Sequence, residues 1–155
     1  MDDLESQLRY IAEDDDPTST KDRVAKKVIQ QYFAGNDATV WVSSAITYRS
    51  TPYEVVTYLS RLARLREKYT SVRLYFKPGY LGMGQITRVA YEPNAYEVSL
   101  SVDQIFIGMT PEYTYADETK KQFRVRFRFE GRAVRFVINE ITVSETRRRP
   151  EMTLE

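Results

Sequence analysis

The chain contains no cysteine and no histidine. Without cysteine there is no disulfide, no thiolate nucleophile and no cysteine-ligated zinc, and the redox compartment stays undetermined. Without histidine there is no Ser-His-Asp triad, no His-ligated metal and not the commonest general base. Carboxylates alone remain for a hard cation, and they show no calcium-loop spacing, so neither a metal nor a cofactor is expected. No stretch approaches the roughly 18 consecutive apolar residues of a membrane span. Met1 to Asp16 lacks a basic segment followed by an apolar one, so it does not read as a signal peptide. Gly79, Gly82 and Gly84 form neither a phosphate loop nor a dinucleotide motif. Tyr75 and Tyr80 beside them read as packing and rim residues.

What is present is enough for one domain with a real core: 155 residues, 42% hydrophobic and 13% aromatic. The clearest signal lies between Gln122 and Val143. Phe123, Val125, Phe127 and Phe129 alternate with Gln122, Arg124, Arg126 and Arg128, the period of a half-buried strand. A turn at Glu130-Gly131 would pair Phe127 with Val134, Val125 with Phe136 and Phe123 with Ile138. The other face would carry Arg124, Arg126, Arg128 and Arg135, with Arg126 opposite Arg135.

Charge is uneven along the chain. Asp2, Asp3, Glu5, Glu13, Asp14, Asp15 and Asp16 against Arg9 leave the first sixteen residues at −6; the net charge of +1 puts +7 on the rest. Charge runs are usually solvated faces, but an acidic lead and a basic body can also attract each other or an acidic partner.

Leu4, Leu8 and Ile11 mark one face of a short helix, stopped by Asp14-Asp15-Asp16-Pro17. A second helix starts at Ser19 or Thr20, with Val24, Ala25, Val28, Ile29, Tyr32 and Phe33 as its apolar stripe, and ends at Gly35-Asn36. Thr39 to Ser43 is a short strand. Thr51-Pro52-Tyr53-Glu54 has the form of a capping box with proline at the first helical position. It predicts a helix over 52–69 with Val55, Tyr58, Leu59, Leu62, Leu65 and Tyr69 on one face. From Val72 onward the period is two. Strands are predicted over 72–76, 85–91 and 96–107, with loops at Pro78-Gly79 and over 108–117. Parity changes before Ile105 and again between Ile138 and Ile141, which suggests two β-bulges and a strongly bent sheet. Helices first and antiparallel strands afterwards define an α+β fold, with the helix at 52–69 in the concave face of a curved antiparallel sheet. The expected division is an acidic lead over 1–19, an α+β domain over 20–146 and a basic tail over 147–155.

Several residue groups, in this order, resemble a bacterial subgroup of the nuclear transport factor 2-like, or cystatin-like, α+β cone. They are Val42-Ser43-Ser44, Tyr58-Leu59-x-x-Leu62-x-x-Leu65, Tyr69-x-x-Val72, Gln104-x-Phe106-x-Gly108, Tyr115-x-Asp117-x-Thr119-x-Lys121 and Ile141-x-Val143-x-Glu145-Thr146. The resemblance covers about residues 20–146. It implies a non-catalytic binding or assembly module, often beside other modules in exported or cell-envelope polypeptides. The same fold also hosts isomerases and cyclases.

Two functions from different classes follow. The first is a ligand- or protein-binding module, self-associating through its sheet, with Trp41, Tyr53, Tyr58 and Tyr75 as pocket candidates and the four arginines as an interface. Its expected partners are a second copy, an acidic protein or a small ligand. The second is a pocket enzyme using a carboxylate, Asp103 or Asp117, with Tyr53 or Tyr58 as donor. Asp103 falls on the polar parity of its strand and Asp117 in a predicted loop, so no cavity carboxyl with a strongly raised pKa is expected. Nucleic acid fits poorly: the aromatics of 122–129 lie on the opposite face from the arginines, and sheet-surface binders need both on one face.

Overall fold

A computed structural model describes residues 2–78 and 82–153. The loop expected at Pro78-Gly79, and Tyr80 with it, extends outside the described residues. Two helices come first, α1 (Asp2–Glu13) and α2 (Thr18–Tyr32). Strands β1 (Thr39–Ser43) and β2 (Ser50–Glu54) follow, then α3 (Val55–Ala63) and the single turn α4 (Leu65–Lys68). The remainder is sheet: β3 (Ser71–Phe76), the short β4 (Gly82–Met83) and β5 (Thr87–Arg88), and three long strands, β6 (Ala95–Met109), β7 (Thr114–Glu130) and β8 (Ala133–Arg148). The sheet runs β2-β1-β8-β7-β6-β3, with β4 and β5 also on β6. Every pairing is antiparallel except β1 with β8, which is parallel, so the expected antiparallel sheet is mixed at one seam.

The α+β architecture agrees with the sequence pattern. Leu4, Leu8 and Ile11 of α1 join Val28 and Ile29 of α2, and Val55, Leu59 and Leu62 of α3, in one core against Leu74, Val98, Val102, Phe123, Val125, Ile138 and Ile141. Full burial of each such side chain stabilises the fold by about 1.5–3 kcal/mol.

The acidic lead is part of this core, and its charge has a defined destination away from the arginine face. Strand β3 is the last in the sheet and presents unpaired N–H groups. Helix α1 lies along it: the Leu74 N–H donates to the Glu13 carboxylate and the Phe76 N–H to the Glu5 carboxylate, each at 3.1 Å. Two acids thus finish the hydrogen bonding of an exposed strand edge. Arg66 fastens the end of α1 by donating to the Glu13 carbonyl at 2.9 Å and pairing with Asp15 at 3.1 Å.

The helix predicted over 52–69 begins later and is interrupted. Residues 50–54 form an edge strand, β2, in which Pro52 faces Trp41. An edge tolerates proline, whose missing N–H need not serve the ladder, so the apparent capping box is a strand end. Arg64, at φ −105° and ψ 5°, separates α3 from α4. The predicted strand 85–91 contracts to β5.

The hairpin exists with a different turn. Glu130 pairs with Ala133, leaving Gly131-Arg132 as the two-residue loop. Gly131 has φ +63° while Arg132 does not have a positive φ, as a type II′ turn requires. Phe127 therefore faces Phe136, Val125 faces Ile138, and Arg128, not Arg126, faces Arg135. The parity change between Ile138 and Ile141 is a true register shift, opposite Arg124/Val125, and a second one lies opposite Lys120/Lys121. The change before Ile105 is not a bulge: β6 pairs with β7 in unbroken register from Ala95 to Met109. Ile105 and Ile107 point to the convex face, where they form a second small core with Ala116, Tyr75 and Met152. The segment after β8 folds back to cover it, through Arg149 N–H to the Ala116 carbonyl at 3.2 Å and a bridge between Thr153 and Thr114.

Candidate functional site

Between α3, α4 and the concave sheet lies a cavity of about 380 Å³. Its wall is mostly apolar, from Val42, Leu62, Leu65, Leu74 and Phe106 together with the rings of Tyr58, Tyr69 and Tyr113. One row is polar. Tyr115, Asp117, Thr119 and Lys121 alternate along β7, beside Gln104 of β6, which pairs with Thr119. Strand alternation puts every second residue on one face. The parity that turns Phe123 and Val125 into the core therefore turns 115, 117, 119 and 121 into the cavity.

The row is buried and partly wired. Asp117, 5% exposed, accepts a hydrogen bond from the Tyr115 hydroxyl at 2.5 Å and one from the Thr119 hydroxyl at 3.4 Å. Tyr115 in turn accepts from the Ala45 N–H at 2.9 Å, tying the β1–β2 loop to the sheet. Burial pushes the Asp117 carboxyl above the ordinary carboxylate value; the Tyr115 hydrogen bond, the Lys121 charge and the Thr119 hydroxyl pull the other way without cancelling it. Burial and the neighbouring carboxylate push the Tyr115 hydroxyl up, and burial does the same to Tyr69. Lys121 is 4% exposed and lies over the Tyr58 ring, 5.2 Å from its centroid. At the rim, Lys68 stands over Tyr69 at 5.1 Å and Arg61 over Tyr53 at 4.7 Å. Gly108 sits against the face of Tyr69, where a Cβ would come within 2.8 Å of the ring.

Of the four pocket aromatics expected from sequence, Tyr58 lines the cavity. Tyr53 packs at the edge of the main core, Tyr75 serves the small convex core, and Trp41 has the opposite parity from Val40 and Val42. Asp117, expected in a loop, belongs to β7 because that strand begins at Thr114. Asp117 thus brings one acid into the cavity, with its carboxyl raised in the direction burial dictates. The signal was available: the odd parity of Phe123 to Phe127 extends back without interruption to Tyr115.

The arginine face is an ion-pair lattice. Arg124 pairs with Glu97 at 3.6 Å and Glu140 at 2.8 Å, Arg126 with Glu97 at 3.7 Å and Glu92 at 3.5 Å, and Arg128 with Glu92. Asp103, one of the two candidate carboxylates, faces Lys120. Arg135 forms no ion pair among the described residues. On the opposite face of the hairpin tip, Phe129, Val134 and Phe136 are exposed, and Phe127 stacks on Tyr96 with ring centroids 5.5 Å apart. No group of three or more metal-ligating residues occurs among the described residues, and no described helix is long and apolar enough to cross a membrane.

No family model matches the sequence, and the curated proteins contain no match to it. Among solved structures, a scytalone dehydratase-like protein from Novosphingobium aromaticivorans is similar at 11% identity, over 100% of this chain and 84% of that one, with a TM-score of 0.46. Naphthalene 1,2-dioxygenase with indole bound is similar at 7% identity, over 97% and 78%, with a TM-score of 0.45. The beta subunit of benzoate 1,2-dioxygenase from Burkholderia mallei is similar at 14% identity, over 90% and 83%, with a TM-score of 0.40. The chain's own topology is a set of helices laid in the concave face of one bent mixed sheet ordered β2-β1-β8-β7-β6-β3.

Proposed function

We propose that this protein is a binding module that takes a small, largely apolar ligand into the cone, with the ligand's polar group against the Asp117–Thr119–Lys121 row. The observation that carries the reading is the combination of an apolar cavity of about 380 Å³ with a buried charged row on one wall. Sites of this build, mostly apolar with a few convergent polar groups, are the usual form of small-molecule pockets. Burying charge without a ligand to meet it costs stability that an apolar wall would not. The test is amide NMR during titration with small amphiphiles. Shifts should centre on Phe106, Thr119 and Lys121, and Leu62→Trp, which fills the cavity, should abolish them. Shifts confined to Phe129–Phe136 would place binding on the hairpin tip and end the proposal. The exposed apolar tip also supports self-association, which sedimentation of Phe136→Lys beside the parent chain tests directly.

A second reading, proton transfer, is favoured by one specific observation. A buried carboxyl with a raised pKa lies 2.5 Å from a tyrosine hydroxyl inside a cavity, the environment general acid–base catalysis uses. Against it, the Tyr115 hydroxyl is spent on Asp117 itself and on Ala45, so it orients the carboxyl instead of facing a substrate. Deuterium uptake next to the carbonyl of a bound ketone, lost in Asp117→Asn with binding retained, would favour catalysis.

A further inference from the structure

We infer that the ligand of this cavity is an amphipathic monoanion, a carboxylate on an apolar body, and that Lys121 receives the carboxylate; the inference rests on the ligand-binding reading above. Lys121 lines the cavity and is 4% exposed, yet among the described residues it makes no hydrogen bond and no ion pair. Its ammonium lies over the face of Tyr58, 5.2 Å from the centroid, and its charge reaches Asp117 without a direct pair. The Nζ atom itself opens onto the cavity; an ammonium in a largely apolar cavity is unfavourable unless paired and hydrogen-bonded, and a ring face offsets only part of that.

Asp117, the one acid lining the cavity among the described residues, does not supply a direct pair. It stands four residues along the same strand, about 13 Å between Cα atoms at ordinary strand rise. Its oxygens are already engaged by Tyr115 and Thr119. The carboxylate is thus satisfied within the protein while the ammonium is not, which sets the sign of the missing group. Arg61 and Lys68 line the same cavity, so among the described residues its cations outnumber its carboxylate and favour an entering anion. Most of the remaining wall, with Leu62, Leu65 and Phe106, is apolar and calls for an apolar body. One ammonium suits a carboxylate through a charge-assisted hydrogen bond.

Calorimetric titration of the full chain with decanoate, the neutral isostere decanol, and inorganic phosphate tests this. The expected result is decanoate binding at least about tenfold tighter than decanol, about 1.4 kcal/mol, with no binding of phosphate. In Lys121→Met decanoate should lose its advantage over decanol, and Lys121→Arg should keep it. The wild-type ratio needs no variant. Equal affinity for decanoate and decanol in the wild type overturns the assignment while leaving the cavity a binding site. A preference that survives Lys121→Met also overturns it. Phosphate binding as tightly as decanoate removes the apolar-body requirement. If neither amphiphile binds, the ligand-binding reading itself falls.

Discussion

Replacing Gly108 with alanine should destabilise this protein, against the usual direction for a strand glycine. Gly108 lies in β6, paired with Val72, and its φ is not positive, so alanine meets no backbone penalty. On that count alone Gly108→Ala should stabilise by about 0.4–1 kcal/mol, because it restricts the unfolded chain. The native contact reverses the sign. A Cβ at Gly108 would lie 2.8, 2.8 and 2.9 Å from three ring carbons of Tyr69, whereas carbon contacts are favourable at about 3.5–4.0 Å. The ring must retreat by about 1 Å. It is buried and held edge-on by Phe106, centroids 5.9 Å apart. Overpacking of this kind costs about 1–3 kcal/mol, which leaves a net loss of up to about 2.6 kcal/mol after the chain-entropy gain. In a chain of 155 residues each kcal/mol lowers the melting temperature by about 2–4 °C. Urea denaturation should show a lower midpoint with unchanged slope. In a Tyr69→Leu background, where the ring is gone, the same substitution should be neutral or stabilising. A midpoint that rises in the Tyr69-containing protein would refute the reasoning. Because Tyr69 is part of the cavity wall, the substitution should also weaken ligand binding.

Asp117 gives a pH signature. Its folded pKa is raised above the unfolded value, so the folded state holds the proton more tightly, and this group's contribution to stability falls as pH rises from about 4 until the folded carboxyl ionises. Stability of the wild type minus that of Asp117→Asn, measured by denaturation across pH, should decline over that window; a difference that rises with pH would contradict the buried placement. Leu59→Ala, at a fully buried position, should cost about 3–5 kcal/mol, and Leu62→Ala, which already borders the cavity, about 2–3 kcal/mol. A loss below about 0.5 kcal/mol for Leu62→Ala would put the helix outside the core, since buried leucines cost several times more. Arg135 faces Arg128 across the hairpin, so Arg135→Glu should stabilise by about 0.2–1 kcal/mol at low salt and lose the effect in strong salt. A double-mutant cycle that couples Arg135 to Arg126 and not to Arg128 would show the turn to be Glu130-Gly131.

Much of this architecture can be read without coordinates, because period and parity are local. Leu4, Leu8 and Ile11 at helical spacing, and Phe123, Val125 and Phe127 at strand spacing, each assign a face to their element whatever lies opposite. So does the bulge between Ile138 and Ile141, where apolar parity changes within one strand. Extended back along β7, the same parity was enough to turn Asp117, Thr119 and Lys121 inward. A pattern of turn-forming residues before them concealed it.

The rest depended on what lies across the chain. Thr51-Pro52-Tyr53-Glu54 carries the local marks of a helix start, and only the nearby β1 edge makes it a strand. Ile105 and Ile107 read as a slip because a sequence cannot show that the segment around Met152 returns to cover the convex face. The hairpin turn was displaced by one residue because Glu130-Gly131 and Gly131-Arg132 both place glycine in the loop, and the pairing of Phe127 with Phe136 decides between them. Composition determined that the acids at the front of the chain are numerous. Tertiary structure decided that Glu5 and Glu13 complete the open edge of β3, since an edge of unpaired N–H groups exists only once the sheet has formed.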